Sequence, residues 1–378
     1  MDALTTPSNW QRVRLGDIAE IIGGGTPSTQ ITSFWNGSIN WFTPTEIGIT
    51  KYVYKSQRTI TPLGLKKSSA KLLPIGTILL TSRASIGDCA ILKEIATTNQ
   101  GFQSLIPLEK INNEFLYYLI LTLKNKLLEL ASGSTFLEVS PNKIKNLLIP
   151  LPPLNEQIAI ANILSGLDRY LCSLDALILK KESVKKALSF ELLSQRKRLR
   201  GFNQNWQKVR LGDIANYLTS NLSAEQITQQ GKIKVYDVNN FIGYTDTTFI
   251  SDKPYISIVK DGSVGRVRIL PPKTNILSTM GALIANHKTT TEFLFYLLSN
   301  FDFKNFTSGS IIPHIYFKDY KEKTIFLPPL NEQAAIANIL SALDSEIISL
   351  KNKKRQFENI KKALNHDLMS AKIRFLKK

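Results

Sequence analysis

The sequence predicts a mixed α/β (α+β) protein: two similar globular domains joined by two long antiparallel helices that form a coiled coil, an internal repeat about a pseudo-two-fold axis. Three observations predict it. The chain is written twice, each copy closes on a long proline-free stretch with heptad-like apolar spacing, and each opens with short strand-like runs around glycine turns.

The duplication comes first because it governs everything else. WQRVRLGDIA at 10–19 returns as WQKVRLGDIA at 206–215, differing at Arg12 and Lys208 alone. LPPLNEQIAIANILSGLD at 151–168 returns as LPPLNEQAAIANILSALD at 327–344, differing at Ile158/Ala334 and Gly166/Ala342. The first pair is offset by 196 residues and the second by 176, so the second copy is 20 residues shorter between the landmarks. Between them the copies share only scattered anchors. Ala84-Ser85-Ile86-Gly87 matches Gly262-Ser263-Val264-Gly265, Glu114-Phe115-Leu116-Tyr117-Tyr118 matches Glu292-Phe293-Leu294-Phe295-Tyr296, and Ser132-Gly133-Ser134 matches Ser308-Gly309-Ser310. A constant frame around dissimilar contents suits two modules that share an architecture and read different ligands.

After each Leu-Pro-Pro the pattern turns helical. Proline suits a first turn, and the acid of Asn155-Glu156 lies near the positive end of the helix dipole. Leu167, Leu171, Leu174, Ile178, Leu188 and Leu192 form an apolar seam interrupted by Lys181 and Lys185. Leu343, Ile347, Leu350, Phe357, Leu364 and Leu368 repeat it, broken by Lys354 and Lys361. Such a seam must be buried, and the other copy's helix is the natural partner. One helix over 155–198 would run roughly 65 Å at about 1.5 Å per residue, the length of a spacer. The inserts, 10–150 and 206–327, read as mixed α/β. Strands are expected over 77–81 and 89–92, and over 255–259 and 266–270, with helices over 113–130 and 291–301. The resulting division is 1–150, 151–200, 201–327 and 328–378.

With 48 Lys plus Arg against 30 Asp plus Glu, the net charge is +18, which implies a polyanionic partner. No apolar run approaches the roughly 18 to 20 residues needed to span a bilayer. The start, MDALTTPSNW, lacks the basic and apolar regions of a secretory signal, and a cytoplasmic protein is expected. The four Trp lie outside the helical segments, which argues against a membrane-surface helix. Cys89 and Cys172 are far apart and read as reduced structural thiols.

Residues that carry chemistry are missing. There is no G-x-x-x-x-G-K-[ST] loop for ATP, and the Pro-Pro pairs at 152, 271 and 328 are followed by Leu, Lys and Leu, so none completes an Asn/Asp-Pro-Pro-Tyr methyltransferase motif. The histidines, His287, His314 and His366, have no metal-ligand spacing. The run Gly23-Gly24-Gly25 reads as a flexible turn, since the strand, helix and acidic follow-up of a dinucleotide site are absent. A chain with no catalytic residues, cofactor or metal of its own is expected.

These residues resemble the specificity subunit of type I restriction-modification systems, in which two target-recognition domains alternate with two conserved helical regions and LPPLNEQ before a long helix is a frequent signature. The resemblance covers essentially the whole chain. GGGTPS at 23–28, NWFTPTEIG at 40–48 and TTNQGF at 97–102 look like a recurrent type of first target-recognition domain, and the second insert departs from that type. The resemblance implies that each domain reads one half of a split, asymmetric double-stranded DNA target. It also implies that the paired helices set the gap and dock two methyltransferase subunits, which restriction subunits join. S-adenosylmethionine, ATP and magnesium would belong to those partners.

Phosphates are neutralised by Lys and Arg, while sequence is read at base edges. The candidate contacts in the first insert are Trp41, Thr43, Thr45, Lys66, Lys67, Ser68, Ser69, Arg83, Ser85, Asn99 and Gln100. Arg83, Asn99 and Gln100 are the candidate readers, because Arg bridges guanine and Asn or Gln adenine in bidentate fashion. In the second insert the candidates are Lys253, Lys260, Ser263, Arg266, Arg268 and Ser308. The competing readings are a duplicated basic scaffold that binds protein or RNA without sequence readout, and a standalone nuclease or methyltransferase.

Overall fold

The computed structural model describes residues 9–133 and 137–373. The chain forms two compact units, Met1–Leu174 with Lys353–Lys378, and Asp175–Asn352. Each unit holds one globular lobe together with part of both long helices.

In the first unit the lobe runs β1 (Gln11–Arg14), β2 (Ala19–Gly23), β3 (Trp35–Phe42), β4 (Tyr52–Val53), β5 (Arg58–Ile60) and helix α1 (Pro62–Lys66). It continues through β6 (Ile78–Leu80), β7 (Cys89–Leu92), β8 (Ala96–Thr98), β9 (Gln103–Pro107), α2 (Asn113–Thr122), α3 (Lys124–Leu130), α4 (Pro141–Lys145) and β10 (Leu148–Leu151). The strands form sheets ordered β2-β9-β6-β7-β4, β5-β3-β8 and β1-β10. The helix expected over 113–130 is two, broken at Leu123.

The near-invariant landmarks prove to be neighbours in space. β1 pairs antiparallel with β10, Gln11 opposite Leu151 and Arg14 opposite Leu148. The Trp10 indole donates to Glu156 at 3.1 Å. Gln157, 1% exposed, accepts from the Asn112 amide at 2.8 Å and donates to the Pro152 and Lys110 carbonyls at 2.9 and 3.1 Å. A buried side-chain amide costs free energy unless satisfied, and here its bonds tie the start of the long helix to the residue before α2.

The second unit repeats this frame. Its strands are β11 (Gln207–Arg210), β12 (Ala215–Thr219), β13 (Ile233–Tyr236), β14 (Phe241–Thr245), β15 (Tyr255–Val259), β16 (Val267–Leu270), β17 (Thr274–Ile276), β18 (Met280–Ala285) and β19 (Thr324–Leu327). They form sheets ordered β12-β18-β15-β16, β14-β13-β17 and β11-β19. Trp206 donates to Glu332 at 3.0 Å, and Gln333 binds Thr290 N, Lys288 O and Pro328 O, the counterparts of the bonds made by Gln157. The aromatic helices, α2 and its repeat over Thr291–Ser299, are almost wholly apolar on their inner turns and form the centres of the two cores. Phe115, Tyr118 and Phe293 are fully buried there, each contributing about 1.5 to 3 kcal/mol of transfer free energy.

The long helices span Leu154–Leu193 and Leu330–Met369. The first stops five residues short of the expected 198, because Gln195 adopts φ +61° and the Lys197 amide folds back to the Glu191 carbonyl at 3.1 Å, a left-handed C-terminal stop. Ala371 at φ +58° stops the second in the same way. Within each unit the two helices pair antiparallel. In the first, Tyr170 meets Phe357 with ring centroids 4.7 Å apart and Asp168 binds Lys361. In the second, Lys181 binds Glu346 at 2.8 Å and Lys185 binds Asp344. The lysines that interrupt the apolar seam are thus paired ones, tolerated because carboxylates meet them.

A polar cluster fastens each aromatic helix to the helix pair. In the first unit Tyr118 donates to Asp168, which also holds Lys361, while Lys51 binds Glu114 and the Tyr118 hydroxyl. In the second, Tyr296 donates to Asp344 at 2.9 Å and Asp344 holds Lys185. Burial, and then the bonded carboxylate, raise both phenols above their usual value. Burial raises Tyr255 to about 12.

This sets an alkaline limit. A phenol with a raised folded-state value keeps its proton longer folded than unfolded, so its stabilisation is complete below pH 10 and declines above it. Lys51, lowered by burial, works in the opposite sense, but it is one group against seven raised tyrosines among the described residues. Urea midpoints should be flat between pH 7 and about 8, decline gently from about 9 because burial also raises the Cys89 thiol, and fall steeply beyond 10, and Tyr118→Phe with Tyr296→Phe should shallow the steep part. No helix among the described residues is long and apolar enough to cross a membrane.

Candidate nucleic-acid interface

Topology gathers the first lobe's loops at one edge. β3 and β8 are parallel, with Phe42 opposite Thr98, so the segments that follow, Thr43–Glu46 and Asn99–Gly101, leave side by side. β9 runs antiparallel to β2 and β6, so Gly24–Thr26 and Thr81–Ser85 emerge at that same edge. The Asn99 amide donates to the Phe42 carbonyl at 3.0 Å, the Ser82 amide to the Gly101 carbonyl at 2.8 Å, and the Thr26 hydroxyl to the Gln100 side chain. Gly24 and Gly25 are far from a loose turn. A Cβ on Gly24 would overlap the Asn99 carbonyl, and one on Gly25 would overlap Ser69 and the Ala70 amide, which brings Lys66–Ser69 to the cluster. Thr45, Lys66, Lys67, Ser69, Ser85 and Gln100 are exposed, while Thr43 and Ser68 are half-buried.

The second lobe builds the corresponding edge. The turn 260–263 follows β15, and Asn239 follows β13. Arg266 Nη2 donates to Asn239 Oδ1 at 2.8 Å, Arg268 Nη1 donates to the Asn239 carbonyl at 2.9 Å, and the Arg268 guanidinium lies 5.3 Å from the Tyr236 ring centre. Ser308 exchanges backbone hydrogen bonds with His314, and the Gly262 amide donates to the Pro313 carbonyl, so the Ser-Gly-Ser loop is tied to the turn.

One contact shows how frame and contents separate. In the first lobe Arg83 and Ser132 both bridge Glu138, and the Arg83 guanidinium binds the Glu138 carboxylate at 2.8 Å. In the second lobe Asp261 and Ser308 both bridge His314, with His314 Nδ1 3.3 Å from the Asp261 carboxylate. The backbone latch is kept while the carboxylate moves from one arm to the other, Glu138 in the first lobe and Asp261 in the second.

A family model described as the type I restriction modification DNA specificity domain matches residues 7–181 and 203–359, which is most of both copies. The chain belongs to this family. Among its relatives, the type I restriction enzyme MjaIX specificity subunit of Methanocaldococcus jannaschii is 29% identical, over 97% of this chain and 94% of that one. The putative MjaX specificity subunit of the same organism is 30% identical over the same shares. The EcoR124I/EcoR124II specificity subunit of Escherichia coli is 37% identical, but over 41% of this chain and 40% of that one. Among solved structures, the type I restriction-modification S subunit from M. genitalium matches with a TM-score of 0.61 at 20% identity, over 97% of both chains. The HsdS subunit from Thermoanaerobacter tengcongensis matches with a TM-score of 0.56 at 18% identity, over 99% of this chain and all of that one. At those identities the likeness is one of fold.

The candidate contact residues of this specificity subunit are divided between surface and interior. Trp41, expected at the surface, is buried instead: it is 4% exposed, packs edge-on against Trp35 and donates to the Gly25 carbonyl at 2.8 Å, so its ring supports the edge from inside. Asn99 spends its Oδ1 on the Gly101 amide at 2.8 Å, and Arg83 is held by Glu138. Lys253 precedes β15 whereas Lys260 follows it, so Lys253 lies at the opposite end of the sheet from the cluster. Sequence reasoning missed Arg58, whose guanidinium stacks 3.7 Å over the Trp35 ring beside this edge, and Asn239, the hub of the second one. The Asp237-x-Asn239-Asn240 turn signature was the available signal for Asn239.

The turn itself carries a visible strain. Ala84 adopts φ +56°, where its repeat counterpart is Gly262 at φ +84°. The left-handed region costs an alanine roughly 1 kcal/mol that glycine avoids. Ala84→Gly should therefore raise thermal stability or leave it unchanged, a result differential scanning calorimetry would read, whereas Gly262→Ala should lower it.

Proposed function

We propose that this chain is the DNA-reading, non-catalytic subunit of a cytoplasmic type I restriction-modification complex. Its lobes, 1–150 and 201–327, each read one half of a split target, and its helical segments, 151–200 and 328–378, hold the gap and dock two methyltransferase subunits, to which restriction subunits add. S-adenosylmethionine, ATP and magnesium belong to those partners. The observation that carries the reading is the pair of loop clusters: the same frame presents Gln100, Thr45, Lys66 and Lys67 in one lobe, and Arg266, Arg268 and Ser263 in the other. Different side chains on one scaffold are what two unlike half-sites require, with Lys and Arg neutralising phosphates and Gln or Arg reaching base edges.

Co-expression with the methyltransferase subunit, followed by genome-wide mapping of modified adenines, tests it. The expected result is one asymmetric motif of two short half-sites at a fixed gap, and insertion of one heptad into both long helices should change that gap. An uninterrupted motif, or uniform affinity for matched and scrambled duplexes across a salt series, would overturn the reading.

A further inference from the structure

The Ser-Gly-Ser loop of the second lobe ends in an apolar tip left in solvent. Ile311 is 92% exposed and Ile312 56%, and Ile311 is the most exposed large hydrophobic side chain among the described residues. Single apolar residues at a surface are ordinary. This pair differs in how firmly its loop is held. Ser308 and His314 exchange backbone hydrogen bonds at 2.9 and 2.7 Å, the Gly262 amide donates to the Pro313 carbonyl at 2.9 Å, and the Ile315 amide donates to the Lys260 carbonyl at 2.9 Å. Ile315 is 1% exposed and belongs to the core, so the root of the loop is buried while its tip stands in water. Gly309 adopts φ +90°, and a Cβ there would lie 2.3 Å from the Ile312 carbonyl oxygen, so the loop is closed tightly on itself.

The tip stands inside the basic edge. The latch ties it to the 260–263 turn, whose Ser263 is exposed, and cations flank it: Lys260 at its root, Arg266 just past the turn, and Lys318, 5.4 Å from the Tyr316 ring centre. The Asp261 carboxylate faces His314 Nδ1 at 3.3 Å. In the first copy the bridge from Ser132 to Glu138 closes a loop of the same length, and the sequence has Thr135-Phe136, outside the described residues, where the second copy has Ile311-Ile312. The latch is constant and the tip is not, which is the division expected of positions that read. Apolar side chains leave water only against apolar surface. On a stacked duplex whose phosphates answer the flanking cations, the apolar group presented at a base edge is the thymine 5-methyl, in the major groove beside the guanine acceptors that arginine reaches.

We infer that Ile311 and Ile312 pack on thymine methyl groups in the second lobe's half-site, and so are specificity-determining residues for an A·T pair there. This rests on the DNA-reading function proposed above and extends it from polar readers to an apolar one. Burial of one methyl is worth about 0.8 kcal/mol, or about fourfold in affinity.

The complex with the methyltransferase subunit, bound to a duplex carrying the motif mapped for wild type, tests this. Thymines are replaced one at a time by uracil, which removes the methyl group and keeps the hydrogen-bonding edge. Wild type should bind about fourfold more weakly for each contacted methyl removed, at thymines of one half-site only. Ile311→Ser with Ile312→Ser should abolish that penalty and leave affinity for a scrambled duplex unchanged, since phosphate contacts carry the latter. Ile311→Val should keep the penalty. Both side chains are exposed, so thermal midpoints of the variants should match wild type. A wild type indifferent to uracil at every thymine would overturn the assignment, as would a serine variant with the full wild-type penalty. So would 2-aminopurine fluorescence that rises on binding wild type but not the serine variant, with no uracil penalty, which would make the tip a wedge between bases. Equal wild-type affinity for matched and scrambled duplexes would instead overturn the DNA reading on which the assignment depends.

Discussion

Gly24→Ala is expected to cost the protein recognition at the first lobe's half-site while leaving the second's intact. The added Cβ would overlap the Asn99 carbonyl, and would lie 2.6 Å from the Asn99 carbonyl carbon, so a backbone and not a yielding side chain stands in the way. Relief requires moving the Asn99–Gly101 turn, which carries Gln100, is bonded to Phe42 and Ser82, and abuts Pro44 so closely that a Cβ on Gly101 would come within 2.7 Å of its ring. Overpacking of this kind costs about 1 to 3 kcal/mol, and backbone contacts put it at the upper end. If that cost falls on the reading conformation, binding to the cognate half-site weakens about tenfold to a hundredfold. Competition between duplexes altered in one half-site at a time would show it: the variant should lose discrimination at one half alone. Discrimination retained at both would mean that this loop cluster does not face DNA.

The same loops show what a sequence discloses and what it withholds. The frame was legible because its residues are duplicated, and the structure explains the duplication: Trp10 to Glu156 is a contact between landmarks that lie far apart in the chain, and Gln157 ties the second landmark to the backbone of Asn112 before α2. The strands 89–92 and 255–259 were placed to the residue because apolar runs bounded by turn residues leave little choice. Burial was harder to foresee. Trp41 has the composition of a base-stacking residue, and only the pairing of β3 between β5 and β8 reveals that its ring turns inward. Nor could spacing reveal that Gly24 and Gly25 are required by close approach, or that Arg58 and Asn239 belong to the edges, since those depend on strands brought together across the sheet. The lysines interrupting the apolar seam, Lys181, Lys185 and Lys361, looked like blemishes in a coiled coil, because their carboxylates lie more than a hundred residues away.

Those carboxylates give the largest stability effects. Asp168→Ala should destabilise the first unit, and Asp344→Ala the second, by about 3 kcal/mol each, because each strands a lysine and a phenol that have been partly removed from water. The fully buried range is about 3 to 5 kcal/mol, and side chains roughly a quarter exposed, as Asp168 and Lys361 are, belong at its lower end. The cost should be local. Hydrogen exchange should accelerate in α2 and the 353–369 segment for Asp168→Ala, and in 291–299 and 175–193 for Asp344→Ala. If each aspartate matters mainly because it answers a lysine, replacing the pair together should recover most of the loss: Asp168→Leu with Lys361→Met should lie within about 1 kcal/mol of wild type, as apolar substitutes for ion pairs commonly do. Such a variant would be stable yet would have lost the polar contact that marks where along the seam the two helices meet, which is the role a single polar position plays in fixing register. Stability recovered together with a blurred gap in the methylation map would separate the two contributions; stability that stays low in the double variant would show that the aspartate acts through Tyr118 and not through the lysine.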